Sequence, residues 1–335
     1  MSLGHDYRMM LFNIAFWIIA CYVFPVVIFT LVSLIGKGVG LFWPPASHIF
    51  NALALVTAGG CLCMSAYGSV FGWRRLTVDR ITINSPKIPV AFDDYKIVQL
   101  SDFHIGTYAL SPGAVRKIVD RVNSLDPDLI VFTGDLVNSD PAEVEEFVGE
   151  LSRLKARDGV LSVLGNHDYC LYREYKAPDN PVKACARLRD KERKMGWRLL
   201  LNESAVITRG SDTLAIIGVE NAGSRNFPDR SDLKGAMEGV DSVAFKILLS
   251  HDPSHWEREV VPDTDIDLTL SGHTHAMQLK IGGWSPSKWI YPEWGGLYDD
   301  GAQKLYVSTG VGENIPFRLG AWPQIVLLTL NRPGV

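Results

Sequence analysis

No charged residue stands between Met9 and Ile35, and a second uncharged run extends from Ile49 to Phe71. Roughly 20 apolar residues of helix cross the hydrocarbon core of a bilayer, so each run is long enough to span one. Between them, Gly36-Lys37-Gly38-Val39-Gly40 and Pro44-Pro45 read as a turn. The pair predicts a transmembrane hairpin within residues 1–75, with spans at about 9–35 and 49–71. Pro25 is expected to kink the first span, and Gly59, Gly60, Ser65, Ala66 and Gly68 offer small residues for close packing in the second. A cleaved signal peptide would carry a shorter apolar core and leave the second run unexplained. Arg8 precedes the first span and Arg74, Arg75 and Arg80 follow the second, whereas the connecting turn holds only Lys37. The positive-inside rule then puts both ends in the cytoplasm. The expected location is the cytoplasmic (inner) membrane, with the large domain facing the cytoplasm.

From Leu76 the pattern changes, and residues 76–335 read as one soluble α/β domain. Leu76–Ile83 alternates as a strand does, and Tyr95–Leu100, Asp128–Thr133 and Val160–Leu164 are short apolar runs of strand length. Ser111-Pro112 and Asp140-Pro141 look like helix starts, giving helices to about Leu125 and Ala156. Pro181–Met195 reads as a further helix. Strands follow near 197–201, 205–208, 214–219, 245–249, 276–281, 304–308 and 325–330, with a Gly- and Trp-rich ordered loop over 282–301. This alternation is the signature of a layered sheet with helical cover. The mild net charge of −4 argues against a nucleic-acid partner. Five cysteines without paired spacing do not form a disulfide framework. Only the segment 169–198 is locally basic, which fits a solvated helix face or contact with an anionic substrate or lipid headgroups.

Polar clusters sit where these apolar runs end: Asp102 and His104; Asp135; Asn166 and His167; His251; and His273 with His275, one residue apart. Strand ends are where α/β sheets place their sites. Any one cluster could be turn chemistry. In series they supply imidazole, carboxylate and amide donors with no thiolate, a set suited to manganese, iron or zinc. They exceed the needs of one tetrahedral ion, and two divalent ions about 3.5 to 4 Å apart would use them naturally.

The order Asp-x-His, Gly-Asp, Gly-Asn-His-Asp, His, Gly-His-x-His resembles that of the calcineurin-like metallophosphoesterases, from roughly Tyr95 to the C-terminus. Tyr306–Gly312 and the anchored N-terminus are similar to the membrane-associated bacterial branch. The resemblance implies a four-layer αββα sandwich with metals at the facing edge of its two sheets. It places Asp102, His104 and His275 on one metal, Asn166, His251 and His273 on the other, and Asp135 on both. A hydroxide shared by the ions would attack phosphorus, and His167 would protonate the leaving oxygen. Many relatives have Gly-Asp-x-x-Asp, whose last carboxylate supports this histidine; here Asn138 stands in its place, and its amide is expected to fix the ring by a hydrogen bond. Arg318 is the candidate for a phosphate-facing cation, whereas His255 and His48 are expected to be non-ligands.

The expected function is a membrane-anchored, dinuclear metal-dependent phosphoesterase acting on a phosphodiester or pyrophosphate. Its partners would be the membrane and a phosphorylated small molecule or lipid, for example a lipid-linked nucleotide like the substrate of UDP-2,3-diacylglucosamine hydrolases. The alternative is a noncatalytic, metal-stabilised membrane module that binds a phosphorylated partner, to which the spare His167 would be useless. A phosphoprotein phosphatase is a third reading that no residue selects.

Overall fold

In the computed structural model, which describes residues 11–334 apart from 13, 109, 110, 224–226, 228, 314 and 316, the chain falls into two units. The first comprises the N-terminal part up to Trp73 together with Ile315–Leu319; the second takes up the chain from Arg74 to Asn314 and again from Gly320.

The first unit holds α1 (Phe24–Gly40) and α2 (Pro45–Val70). Continuous helical stretches over Ile14–Gly40 and Pro45–Arg74 are long and apolar enough to cross a membrane. Pro25 has no N–H to give to the preceding turn. A π turn over Ile19–Val23 precedes it, with the Phe24 N–H donating to the Ile19 carbonyl. The close approach of the two helices is made by glycines other than those expected. A Cβ on Gly36 would lie 2.2 Å from Cβ of Phe50, and one on Gly40 would lie 2.2 Å from Oγ of Ser47, whereas Gly59 and Gly60 meet nothing within 4 Å among the described residues. Gly68 lies instead against the Phe317 ring and the Arg318 carbonyl.

The second unit is built on two sheets. One has β1 (Thr77–Asn84), β12 (Gln324–Asn331), β2 (Lys96–Leu100), β3 (Leu129–Phe132), β4 (Val160–Ser162) and β5 (Arg198–Leu199), in that order. The other runs β10 (Gly296–Asp299), β11 (Lys304–Val307), β9 (Leu268–Ser271), β8 (Lys246–Leu249), β7 (Asp212–Gly218) and β6 (Glu203–Arg209). Strands β2 to β5 are parallel, as are β7, β8, β9 and β11.

Side-chain alternation explains the layers. Ile97, Leu129 and Val131 of the first sheet share a core with Ile247, Leu249, Leu268 and Leu270 of the second. Their neighbours Val98, Ile130 and Phe132 face the other way, onto Val115, Ile118, Val119 and Val122 of α3 (Pro112–Asn123) and onto Leu188 of α4 (Pro181–Lys194). On the outside of the second sheet, Ile217, Leu248 and Leu305 pack with Leu233, Trp256 and Val260. The result is the four-layer αββα sandwich expected.

Three local expectations differ. Ser111 precedes α3, but its side chain makes no capping bond. The expected helix over 140–156 is instead a 3-10 helix at Pro141–Phe147 followed by one α turn at Val148–Leu151. The expected strand over 276–281 is a tight turn, because Ala276, Met277 and Gln278 all have positive φ (51°, 46° and 57°), which no strand admits.

The basic segment is mostly neutralised in place. Arg173 pairs with Asp140, Arg187 with Asp179, Arg189 with Glu220, Lys191 with Glu145 and Arg193 with Asp190. Leu328, on β12 in the core between the sheets, is fully buried. Leu328→Ala is expected to remove about 2–5 kcal/mol of stability, seen as a lower Tm of the detergent-solubilised protein.

Candidate metal centre

Every candidate ligand follows the C-terminal end of a strand inside a parallel array. Asp102 and His104 follow β2, Asp135 follows β3, Asn166 follows β4, His251 follows β8, and His273 and His275 follow β9. Parallel strands end on one edge, so each sheet delivers its loops to the same side. Hydrogen bonds tie the two edges together. The Gln99 amide donates to the Ser271 carbonyl at 2.9 Å, and the His273 backbone N–H donates to the Asp102 carboxylate at 3.0 Å. His251 Nδ1 lies 2.7 Å from the Thr133 carbonyl; since a carbonyl only accepts, Nδ1 carries a proton and Nε2 is left for the cluster.

The side chains gather into three groups whose possible ligand atoms lie within 4.8 Å of one another: Asp102, His104 and His275; Asp135, His251 and His273; and His104, Asp135 and His167. His273 and His275 thus fall in different groups, and Asp135 belongs to two. His104 Nε2 lies 3.1 Å from His275 Nε2, and His251 Nε2 lies 3.1 Å from an Asp135 oxygen. The Asn166 amide nitrogen donates to the Tyr172 hydroxyl at 2.9 Å, and its buried Oδ1 has no hydrogen-bond partner among the described residues. His255 is in none of these groups: it sits 3.0 Å from the Ser250 hydroxyl and 2.6 Å from the Glu259 carboxylate.

Several of these residues hold left-handed backbone: Asp102 (φ 53°), His104 (43°), Asp135 (60°), His273 (72°) and His275 (49°). Such conformations persist only where the surroundings over-determine them, and they cluster at functional sites. Space is equally tight. A Cβ on Gly272 would lie 2.0 Å from Oγ of Ser101, and one on Gly312 would lie 1.7 Å from the Phe103 carbonyl oxygen.

The sequence profile of the calcineurin-like phosphoesterases matches residues 95–277. The chain belongs to that family. It is 30% identical to the uncharacterized metallophosphoesterase YkuE of Bacillus subtilis over 84% of this chain and 95% of that one. It is 29% identical to a transmembrane protein with metallophosphoesterase domain of Danio rerio, over 80% of this chain and 60% of that one. It is 26% identical to the UDP-2,3-diacylglucosamine pyrophosphatase LpxG of Chlamydia trachomatis, over 76% of this chain and 88% of that one.

The donor set of this metallophosphoesterase fits divalent metal. Among the described residues the Asn166 oxygen is an acceptor with no hydrogen-bond donor, and the imidazole–carboxylate mixture suits the ions named above. Burial pushes the Asp102 carboxyl up to about 6, against the pull of His251. Burial would also raise Asp135, but His251, His167 and His104 together hold it well below the usual carboxylate range. For His251 burial works against the charged form, yet the charge and hydrogen bond of Asp135 outweigh it and raise the imidazole to about 10. Burial lowers His273 to about 4, so that ring is neutral and ready to ligate.

The structure also shows residues that strand-end reasoning missed. The buried Asp168 carboxylate accepts the backbone N–H groups of Asp135, Leu136, Val137 and Gly165, at 2.7, 2.8, 3.2 and 2.9 Å. Its only sequence signal was its place after Asn166 and His167. The Tyr291 hydroxyl lies 2.7 Å from His273 Nε2, and the Tyr172 ring lies 4.5 Å from the His167 ring. Nothing local marks these tyrosines.

The expectation for Asn138 needs correction. His167 Nδ1 lies 2.6 Å from the backbone carbonyl of Asn138, not from its amide, and the buried Asn138 Oδ1 has no hydrogen-bond partner among the described residues. The ring is held by main chain because the loop turns its peptide group, rather than its side chain, toward it. Arg318 is fully buried, and its backbone N–H donates to the Gly68 carbonyl.

Below pH 10 a metal must displace the His251 proton to bind there. Affinity for Mn²⁺ is therefore expected to fall roughly tenfold per pH unit between pH 9 and 7. Titration calorimetry in buffers of different ionisation enthalpy should show protons released on binding.

Proposed function

We propose that this chain is a membrane-anchored, dinuclear metal-dependent phosphoesterase that hydrolyses a phosphodiester or pyrophosphate bond in a lipid-linked nucleotide or similar phosphorylated lipid. The observation that carries the reading is that Asp135 groups with His251 and His273 and also with His104 and His167, while His104 in turn groups with Asp102 and His275. Asp102, His104 and His275 would hold one divalent ion, Asn166, His251 and His273 the other, and Asp135 both. Bound manganese, iron or zinc supplies Lewis acidity toward phosphoryl oxygens and toward water.

The protein's own groups then have distinct tasks. The Thr133 carbonyl fixes the tautomer of His251, as the Tyr291 hydroxyl orients His273. The Asn138 carbonyl accepts a hydrogen bond from His167 Nδ1–H, so Nε2 is the atom able to hand a proton to the leaving oxygen. Arg318 is proposed to hold a phosphate of the substrate, since a guanidinium can bind one bidentately. The apolar hairpin supports this substrate class, as does the likeness to LpxG, which is named a UDP-2,3-diacylglucosamine pyrophosphatase. Both termini are proposed to be cytoplasmic, and a reporter after Val335 that is active only outside the cytoplasm would reverse that topology.

The purified protein is expected to cleave bis(p-nitrophenyl) phosphate with Mn²⁺ and to lose that activity with a chelator; failure with every divalent metal tried removes the reading. On an ester with a poor leaving group, such as a phenyl phosphodiester, His167→Ala should lower kcat by about 10²–10⁴ with metal content intact. Arg318→Lys should raise KM with kcat near wild type.

A further inference from the structure

Six consecutive backbone N–H groups beginning at the shared ligand Asp135 end on two carboxylates. Those of Asp135, Leu136 and Val137 go to Asp168; those of Asn138, Ser139 and Asp140 go to Glu143, at 2.6, 3.0 and 3.0 Å. Glu143 also closes a capping box with Asp140 at the start of the 3-10 helix. A capping box needs only the Asp140 N–H, so the bonds from Asn138 and Ser139 are additional. Room for this carboxylate depends on Gly106, where a Cβ would lie 2.7 Å from a Glu143 oxygen and 2.9 Å from Oδ1 of Asn138.

One peptide group joins Glu143 to His167. The N–H of Ser139 and the carbonyl of Asn138 belong to the same planar unit and point in opposite directions. The first donates to the Glu143 carboxylate, and the second accepts from His167 Nδ1 at 2.6 Å. A negative charge at one end polarises the peptide and makes its carbonyl a stronger acceptor at the other. This supplies, through the main chain, the support that a carboxylate at position 138 would give directly.

We propose that Glu143 is a positioning residue for His167, acting through the Asn138–Ser139 peptide group to aim the ring and strengthen its hold on the Nδ1 proton. The catalytic half of the proposal rests on the phosphoesterase reading above; the structural half does not.

The test uses the full chain in detergent, labelled with ¹⁵N-histidine and loaded with Zn²⁺, which is diamagnetic. The Nδ1–H resonance of His167 is identified by its loss in His167→Ala. In Glu143→Ala that resonance should vanish into solvent exchange; in Glu143→Gln, which keeps an acceptor without charge, it should persist but move upfield. With Mn²⁺, kcat of Glu143→Ala should fall at least ~10-fold more for a phenyl ester than for the p-nitrophenyl ester, since only the poorer leaving group needs its proton. An Nδ1–H resonance unchanged in both variants overturns the proposal, as does an equal loss of kcat on both esters. If Glu143→Ala does not fold, the Glu143→Gln resonance decides alone. Wild-type protein inactive on both esters sinks the phosphoesterase reading, while the resonance still decides the role of Glu143.

Discussion

Ionisable side chains of both signs are buried together at the facing edge of two sheets, and the surrounding structure exists to keep them there. Asp102, Asp135, His104 and His251 are almost wholly removed from solvent. Charges taken out of water are expensive unless they are paired and their remaining hydrogen-bonding capacity is met. The protein meets it from both sheets. The Asp102 carboxylate accepts from the His273 backbone, the Thr133 carbonyl receives His251, and Gln99 bridges to Ser271. The sandwich is therefore locked where its chemistry lies.

The loop after β3 shows how ordinary backbone becomes part of such a site. It leaves the strand through Gly134 (φ 94°) and Asp135 (φ 60°), then lays its N–H groups on Asp168 and Glu143. Asp168 stands in the same short turn as His167, so one carboxylate ties the Gly165–Asp168 loop to the loop that carries Asp135. Burial pushes the Asp168 carboxyl up to about 7, helped by the charge of Asp135, while the N–H groups around it pull the other way. Main-chain donors hold a carboxylate with little side-chain entropy to lose, which suits a position that must not drift. The same economy appears at His167, whose partner is a carbonyl rather than a side chain.

The hairpin and the second unit obey different physics. In α1 and α2 the apolar residues point outward and glycines allow helix approach at Gly36 and Gly40, as expected where lipid replaces water. In the second unit the apolar residues alternate into three packed layers of core. A family likeness over residues 95–277 therefore concerns the sandwich and leaves the hairpin to be argued from composition.

By itself the sequence determined the features that depend on local pattern. The uncharged runs marked two membrane-length helices, short apolar runs marked most strands, and polar residues at the ends of those runs marked Asp102, His104, Asp135, Asn166, His167, His251, His273 and His275 as candidate site residues. Such signals are legible because they lie within a few consecutive positions. Tertiary structure alone decided how those residues group, since β8 and β9 lie in one sheet and β2, β3 and β4 in the other. It also decided that the Gln278 region turns instead of continuing as a strand, that Gly36 rather than Gly59 meets the partner helix, and that Asn138 serves through its carbonyl. The roles of Asp168 and Glu143 were hidden for the same reason: their partners are backbone N–H groups, which every residue carries, so only the folded path of the chain shows which carboxylate receives them.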